Sequence, residues 1–89
     1  MSVYIVACDL RAAGKDYTQL WSSLGSVPNC HAEGPVWFID VPQTAKQVRD
    51  QSSTVIDKND VLFVGPLARG WAAWNVACAG WLNDPARRW

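Results

Sequence analysis

This 89-residue chain has no excess of charge of either sign: Lys plus Arg and Asp plus Glu both number 8, for a net charge of 0. Nonspecific nucleic-acid binding runs on clustered Lys and Arg that neutralise phosphates, so the composition argues against it. Long apolar runs are missing as well. No stretch approaches the roughly 18 residues that a membrane span requires. Asp9 and Arg11 interrupt the N-terminal apolar run where a signal peptide would continue. Cysteine is sparse and odd in number: Cys8, Cys30 and Cys78 are far apart with no C-x-x-C. That spacing signals neither a zinc site nor a disulfide framework, so buried, reduced thiols in a cytoplasmic protein without a membrane partner are expected. No Gly-rich strand-to-helix turn, metal-protease motif, nucleophile elbow, internal repeat or low-complexity stretch is present.

What the chain has instead is apolar and aromatic bulk. Hydrophobic residues make up 49% and six are Trp. A single domain of this length buries a modest fraction of its surface, and each buried aromatic removes roughly 150–250 Å² from water. Six tryptophans exceed the needs of one small core. Trp71, Trp74 and Trp81, in the C-terminal segment, are therefore the residues expected at an interface, with a second copy of the chain as the first partner and another protein as the alternative.

The apolar blocks alternate in character. Residues 2–9 read as a strand buried on both faces. Tyr17, Leu20, Trp21 and Leu24 have the spacing of one helical face, Asp16 and Gln19 have capping-box spacing, and Gly25 stops the helix. Residues 27–33 suit an edge strand because Pro28 cannot donate to a ladder. Gly34-Pro35 is a turn, and residues 36–41 form the next strand. Thr44 and Gln47 cap a second helix carrying Ala45, Val48, Ser52 and Val55 on one face. A polar turn at residues 57–60 leads into a strand over 61–66.

The order β-α-β-β-α-β is that of a single α+β ferredoxin-like domain over residues 1–89. Its four-stranded antiparallel sheet has both helices on one face and the first and third strands central. The other sheet face must meet a partner, water or the C-terminal arm of about residues 67–89. That arm reads either as a fifth strand near Trp71–Trp74 or as an extended segment followed by a short helix over 76–83. The helical reading is preferred because Trp74, Ala77, Cys78, Trp81 and Leu82 share a face. Arg87-Arg88-Trp89 reads as a solvated tail.

Two residues admit chemistry. Asp9 ends the first strand at the rim of the sheet. A carboxylate there either accepts hydrogen bonds from the following turn or holds a hard cation such as Mg²⁺, the one cofactor the pattern admits. One carboxylate is too few ligands, so such a site would be shared between two protomers. His31, the single histidine, is either a general base or an edge-strand side chain with a structural hydrogen bond. Cys30-His31 is no dyad, because strand neighbours point to opposite faces. Trp37, Phe38 and Phe63 fit core packing better than base stacking, since no basic residue interleaves with them.

Val3-Tyr4-Ile5-Val6-Ala7-Cys8-Asp9-Leu10 followed by Lys15-Asp16-Tyr17 resembles the opening of the SinR-like family of small bacterial and phage proteins. Val36-Trp37-Phe38-Ile39-Asp40, Gln47-Val48-Arg49-Asp50, Asp57-Lys58-Asn59-Asp60 and Gly70-Trp71-Ala72 extend the resemblance over most of the chain. The family is similar to the ferredoxin-fold subunit of the CRISPR spacer-adaptation complex and, more distantly, to virulence-associated D ribonuclease toxins. The resemblance implies a homodimer in which Asp9 matches a metal-site acid. It departs at Gly34-Pro35-Val36-Trp37, where the CRISPR subunit carries Ser-x-Phe, and at Asn29-Cys30-His31, where a basic residue is expected. The expected function is therefore a non-catalytic binding or assembly module. The alternative is a Mg²⁺-dependent endoribonuclease or endodeoxyribonuclease using Asp9 of both protomers, with His31 as a further catalytic candidate.

Overall fold

The computed structural model describes residues 2–11, 16–85 and 87. Strand β1 (Ser2–Asp9) runs through the middle of a four-stranded antiparallel sheet. Helix α1 (Thr18–Gly25), strands β2 (Asn29–Glu33) and β3 (Val36–Val41), helix α2 (Ala45–Ser53) and strand β4 (Val61–Pro66) follow, and a short helix α3 (Ala79–Leu82) comes last. The strand order is β2-β3-β1-β4, so β1 and β3 are central and β4 is an edge. Residues 12–15, in the segment between β1 and α1, lie outside the described residues.

Register explains which side chains meet. Val6 lies opposite Trp37 on β3 and Val64 on β4. Alternation then puts Tyr4, Val6, Trp37, Ile39 and Val41 on one face, where Leu20, Leu24 and Val48 from the two helices bury them. β1 and β3 are apolar on both sides because the second face is covered too. Val3 and Phe38 pack there with Cys78 and Leu82, flanked by Ile5 and Trp81.

The cover is the C-terminal arm, so the arm itself fills the role that the sequence left open between partner, water and tail. It leaves β4 with the Leu67 amide donating to the Val3 carbonyl at 2.9 Å. It then reaches α3, which is shorter than the 76–83 helix expected, and adds no fifth strand among the described residues. Two expectations fail here. Cys30 and Cys78 are not reduced thiols but form a disulfide across 48 residues of sequence, with Cα atoms 5.9 Å apart. The cause is topological: β2 carries Cys30 onto the face that the arm crosses, a proximity that sequence spacing does not encode. Only Cys8 remains a free, buried thiol. Of the expected tail, Arg88 and Trp89 lie outside the described residues, and Arg87 is not solvated. Its Nη1 donates to Asp40 Oδ2 at 3.0 Å, and its guanidinium lies 4.6 Å from the centre of the Trp81 ring.

The two helix starts differ. Thr44 and Gln47 form the expected reciprocal cap: the Gln47 amide donates to Thr44 Oγ1 at 3.2 Å and the Thr44 amide to Gln47 Oε1 at 2.9 Å. Asp16 does not pair with Gln19. Its Oδ1 accepts from the amide of Thr18 at 2.9 Å and from the Thr18 hydroxyl, a tight local turn, and α1 begins only at Thr18. Those hydrogen bonds hold the Asp16 carboxyl below its ordinary value.

The disulfide sets a stability prediction. In the chain-entropy account, closing a loop of 48 residues removes unfolded-state freedom equivalent to roughly 4 kcal/mol. Replacing Cys30 and Cys78 together by Ser is expected to lower the free energy of urea unfolding by about 2–4 kcal/mol. A change below ~0.5 kcal/mol would show that packing alone fixes the arm.

Candidate functional site

Asp9 ends β1 opposite Val61, with its side chain 61% exposed. The following loop turns a cation onto it: Arg11 Nε donates to Asp9 Oδ2 at 2.9 Å, and Nη2 stands 2.8 Å from the same oxygen in an ion pair. An ion pair this exposed contributes about 0–1 kcal/mol, so it orients the carboxylate more than it stabilises the fold.

A second acid stands behind it. Asp60 closes the polar turn before β4, and its carboxylate accepts from three segments. The Arg11 amide donates to Oδ1 at 2.6 Å; the Tyr17 hydroxyl and the Asp57 amide donate to Oδ2 at 2.8 and 2.7 Å. Asp60 thereby ties the loop after β1, the entry to α1 and the turn before β4 together. A carboxylate that accepts several such bonds is a positioning group for its neighbours. The Asp-rich turn was visible in the sequence, but its role in joining three segments was not.

Beside these acids lies a groove of about 360 Å³ lined by Cys8, Asp9, Leu10, Trp21, Gly34 and Pro35. Its wall is apolar apart from the Asp9 end. The Cys8 thiol donates to the Pro35 carbonyl at 3.4 Å. Burial pushes that thiol above its ordinary value, and the charges of Asp60 and Asp9 add to the shift.

His31 belongs to a different cluster. Its ring stacks on Trp37 with centroids 4.2 Å apart and planes 7° from parallel, and Trp37 in turn stacks on Trp21 at 5.9 Å. Nε2 lies 2.6 Å from the Gly34 carbonyl, so it carries the proton and donates. Gly34 itself adopts φ +29°, a turn conformation that suits glycine. The structural hydrogen bond, rather than general-base geometry, is what this arrangement displays. His31 pairs in register with Trp37, which faces the helices, whereas alternation along β1 puts Asp9 on the opposite sheet face. The two residues are not brought into one site. Among the described residues, no three of His, Cys, Asp and Glu cluster as metal ligands.

The three tryptophans expected at an interface divide. Trp71 and Trp81 pack against the second core cluster, whereas Trp74 is 87% exposed. The aromatic surface left open is joined by Phe63 at 61% and Val61 at 46%, both on edge strand β4. Trp37 and Phe38 are core residues, as expected, but Phe63, expected to pack in the core with them, is exposed because it lies on edge strand β4 beyond the cover of the arm. Sequence reasoning missed the buried Asp40, 4% exposed, whose Oδ1 has no hydrogen-bond partner among the described residues. Its only signal was an acid inside an otherwise apolar strand.

No known family model and no solved structure matches the chain.

The thiol chemistry is directly checkable. A raised thiol pKa lowers the thiolate fraction at a given pH, and burial blocks the reagent. In the native oxidised protein, alkylation of Cys8 by iodoacetamide at pH 8 is expected to be at least ~10-fold slower than that of a free cysteine. The rate should keep climbing above the ordinary value of 9.0 rather than level off there. A plateau below that pH, read by mass spectrometry, would contradict the assigned environment.

Proposed function

We propose that this chain is a non-catalytic binding or assembly module of ferredoxin-like type that works as a homodimer. The element order and the central place of β1 and β3 support that fold reading, with the arm and α3 as additions to it. The observation that carries the function is the outer edge of β4. Among the described residues it pairs only with β1, on its inner side, and Phe63 and Val61 project from it into solvent. An exposed edge strand with large apolar side chains favours strand-to-strand pairing. Antiparallel pairing of one strand with its own copy is two-fold symmetric by construction, which makes a second copy the natural occupant.

The pairing surface is not the bare sheet face that the composition suggested, because the arm occupies most of it. It is the strip along β4 that the arm leaves open. Phe63 folds back over Gly65: a Cβ at Gly65 would stand 2.8 Å from the ring carbon Cε1. The glycine thus allows the ring to lie along the strand as a ridge. Burying a Phe side chain in the pair contributes roughly 1.5–3 kcal/mol per copy.

The second reading, a nuclease in which two Asp9 carboxylates share a divalent cation, draws on the exposure of Asp9 at the strand end. It requires Arg11 to yield the carboxylate to the metal.

Sedimentation velocity over a concentration series tests the first reading. Wild type is expected to form dimers that Phe63→Lys weakens by at least ~10-fold in dissociation constant. A wild-type monomer at high concentration would remove the proposal. Incubation of labelled RNA and DNA with Mg²⁺ or Mn²⁺ tests the second. Metal-dependent cleavage that disappears in Asp9→Ala would replace the module reading by an enzyme, and no cleavage by wild type would dispose of the nuclease.

A further inference from the structure

We infer that the Cys30–Cys78 disulfide is a redox latch: reduction by a dithiol frees the C-terminal arm and uncovers the second face of the sheet while the sheet and its two helices stay folded. The inference stands on the arm's attachments and is independent of the dimer reading.

The arm is ordered largely by bonds within itself. The backbone hydrogen bonds after Leu67 are local: Ala79 to Val76, Leu82 to Cys78, Asn83 to Ala79, Asp84 to Trp81 and Arg87 to Asp84. Arg69 Nη2 likewise donates to the carbonyl of Arg87, within the arm. α3 has four residues, far too few to persist alone. What holds the arm down is apolar contact, the disulfide and the Asp40–Arg87 pair. The pair is a weak hold. Both ions regain hydration when they part, and Asp40 Oδ1 and Arg87 Nε lack partners among the described residues even when it is formed. By contrast, β1 is bonded on both sides, to β3 and to β4, and both helices pack on the other face. Losing the arm removes none of those ladders.

The chemistry is thiol–disulfide exchange. One thiolate of the dithiol attacks Sγ of Cys30, which is half-buried on edge strand β2, whereas Cys78 is fully buried. The S–S electron pair leaves on Cys78 Sγ, which takes a proton. The second thiol of the reductant then displaces Cys30, which is protonated in turn, and the reductant departs as its own disulfide. Two electrons and two protons pass to the protein. Cys8 does not compete as a new partner, because its thiol lies on the helix-facing side of β1, bonded to the Pro35 carbonyl. Reoxidation therefore restores the same bond.

Release exposes Val3, Ile5 and Phe38, which share a face with Ala7 and Phe63 across the β1–β4 register. In a reducing compartment the face is open; in an oxidising one it is shut.

The test is hydrogen–deuterium exchange on the full chain, oxidised and then treated with dithiothreitol, followed by tryptophan emission. Reduction is expected to leave α3 exchanging within ~10-fold of an unstructured chain, while β1 and β3, though accelerated by the lower global stability of the reduced protein, stay protected at least ~100-fold more strongly than α3. Emission from Trp71 and Trp81 should shift to longer wavelength, and both changes should reverse on reoxidation. Three outcomes overturn the inference. Exchange in α3 that does not respond makes the bond a bystander. Protection lost from β1 and β3 together with α3 makes it a staple of the whole domain. A bond that dithiothreitol leaves intact in the native protein is no latch.

Discussion

A single sheet with helices on one side has a second side that water will not stabilise if it is apolar, and this chain makes it apolar. β1 and β3 carry large side chains towards both faces, so they require two covers. The helices supply one and the arm the other. Everything distinctive about the protein follows from that requirement: the tryptophans of the arm, the Cys30–Cys78 bond, and the burial of Asp40 against Arg87. The arm covers the part of the face over β1, β3 and β2 and leaves the β4 strip open, which is why Val61 and Phe63 remain exposed.

The polar chemistry collects at the other extreme, where β1 ends. Asp9 and Arg11 pair in the open, while Asp60 anchors the surrounding loops through three accepted hydrogen bonds. The aromatic stack of Trp21, Trp37 and His31 belongs to the helix-covered face. An acid and an imidazole on opposite sides of a sheet do not cooperate in proton transfer.

Strand positions were legible because short, nearly unbroken apolar runs rich in β-branched and aromatic residues mark them: β1, β3 and β4 fall where those runs begin and end. The Thr44–Gln47 cap was legible for a similarly local reason, since three residues suffice to define it. Asp16 was misread because an Asp two residues before a Thr can satisfy that residue's amide and hydroxyl instead of capping a helix. The disulfide was not legible at all. Its partners meet only after β2 and the arm have been placed, and an odd cysteine count conceals which two of three will meet. Arg87 was hidden for the same reason, since Asp40 is 47 positions away.

The bond between Cys30 and Cys78 closes a ring that contains β3, α2 and β4 but excludes β1 and α1. Yet β1 lies between β3 and β4, bonded to each. The N-terminal strand is therefore a guest threaded into a covalent hoop. A chain cut once between β1 and α1 would keep its first strand seated by two ladders of hydrogen bonds, while the hoop around it could not spread.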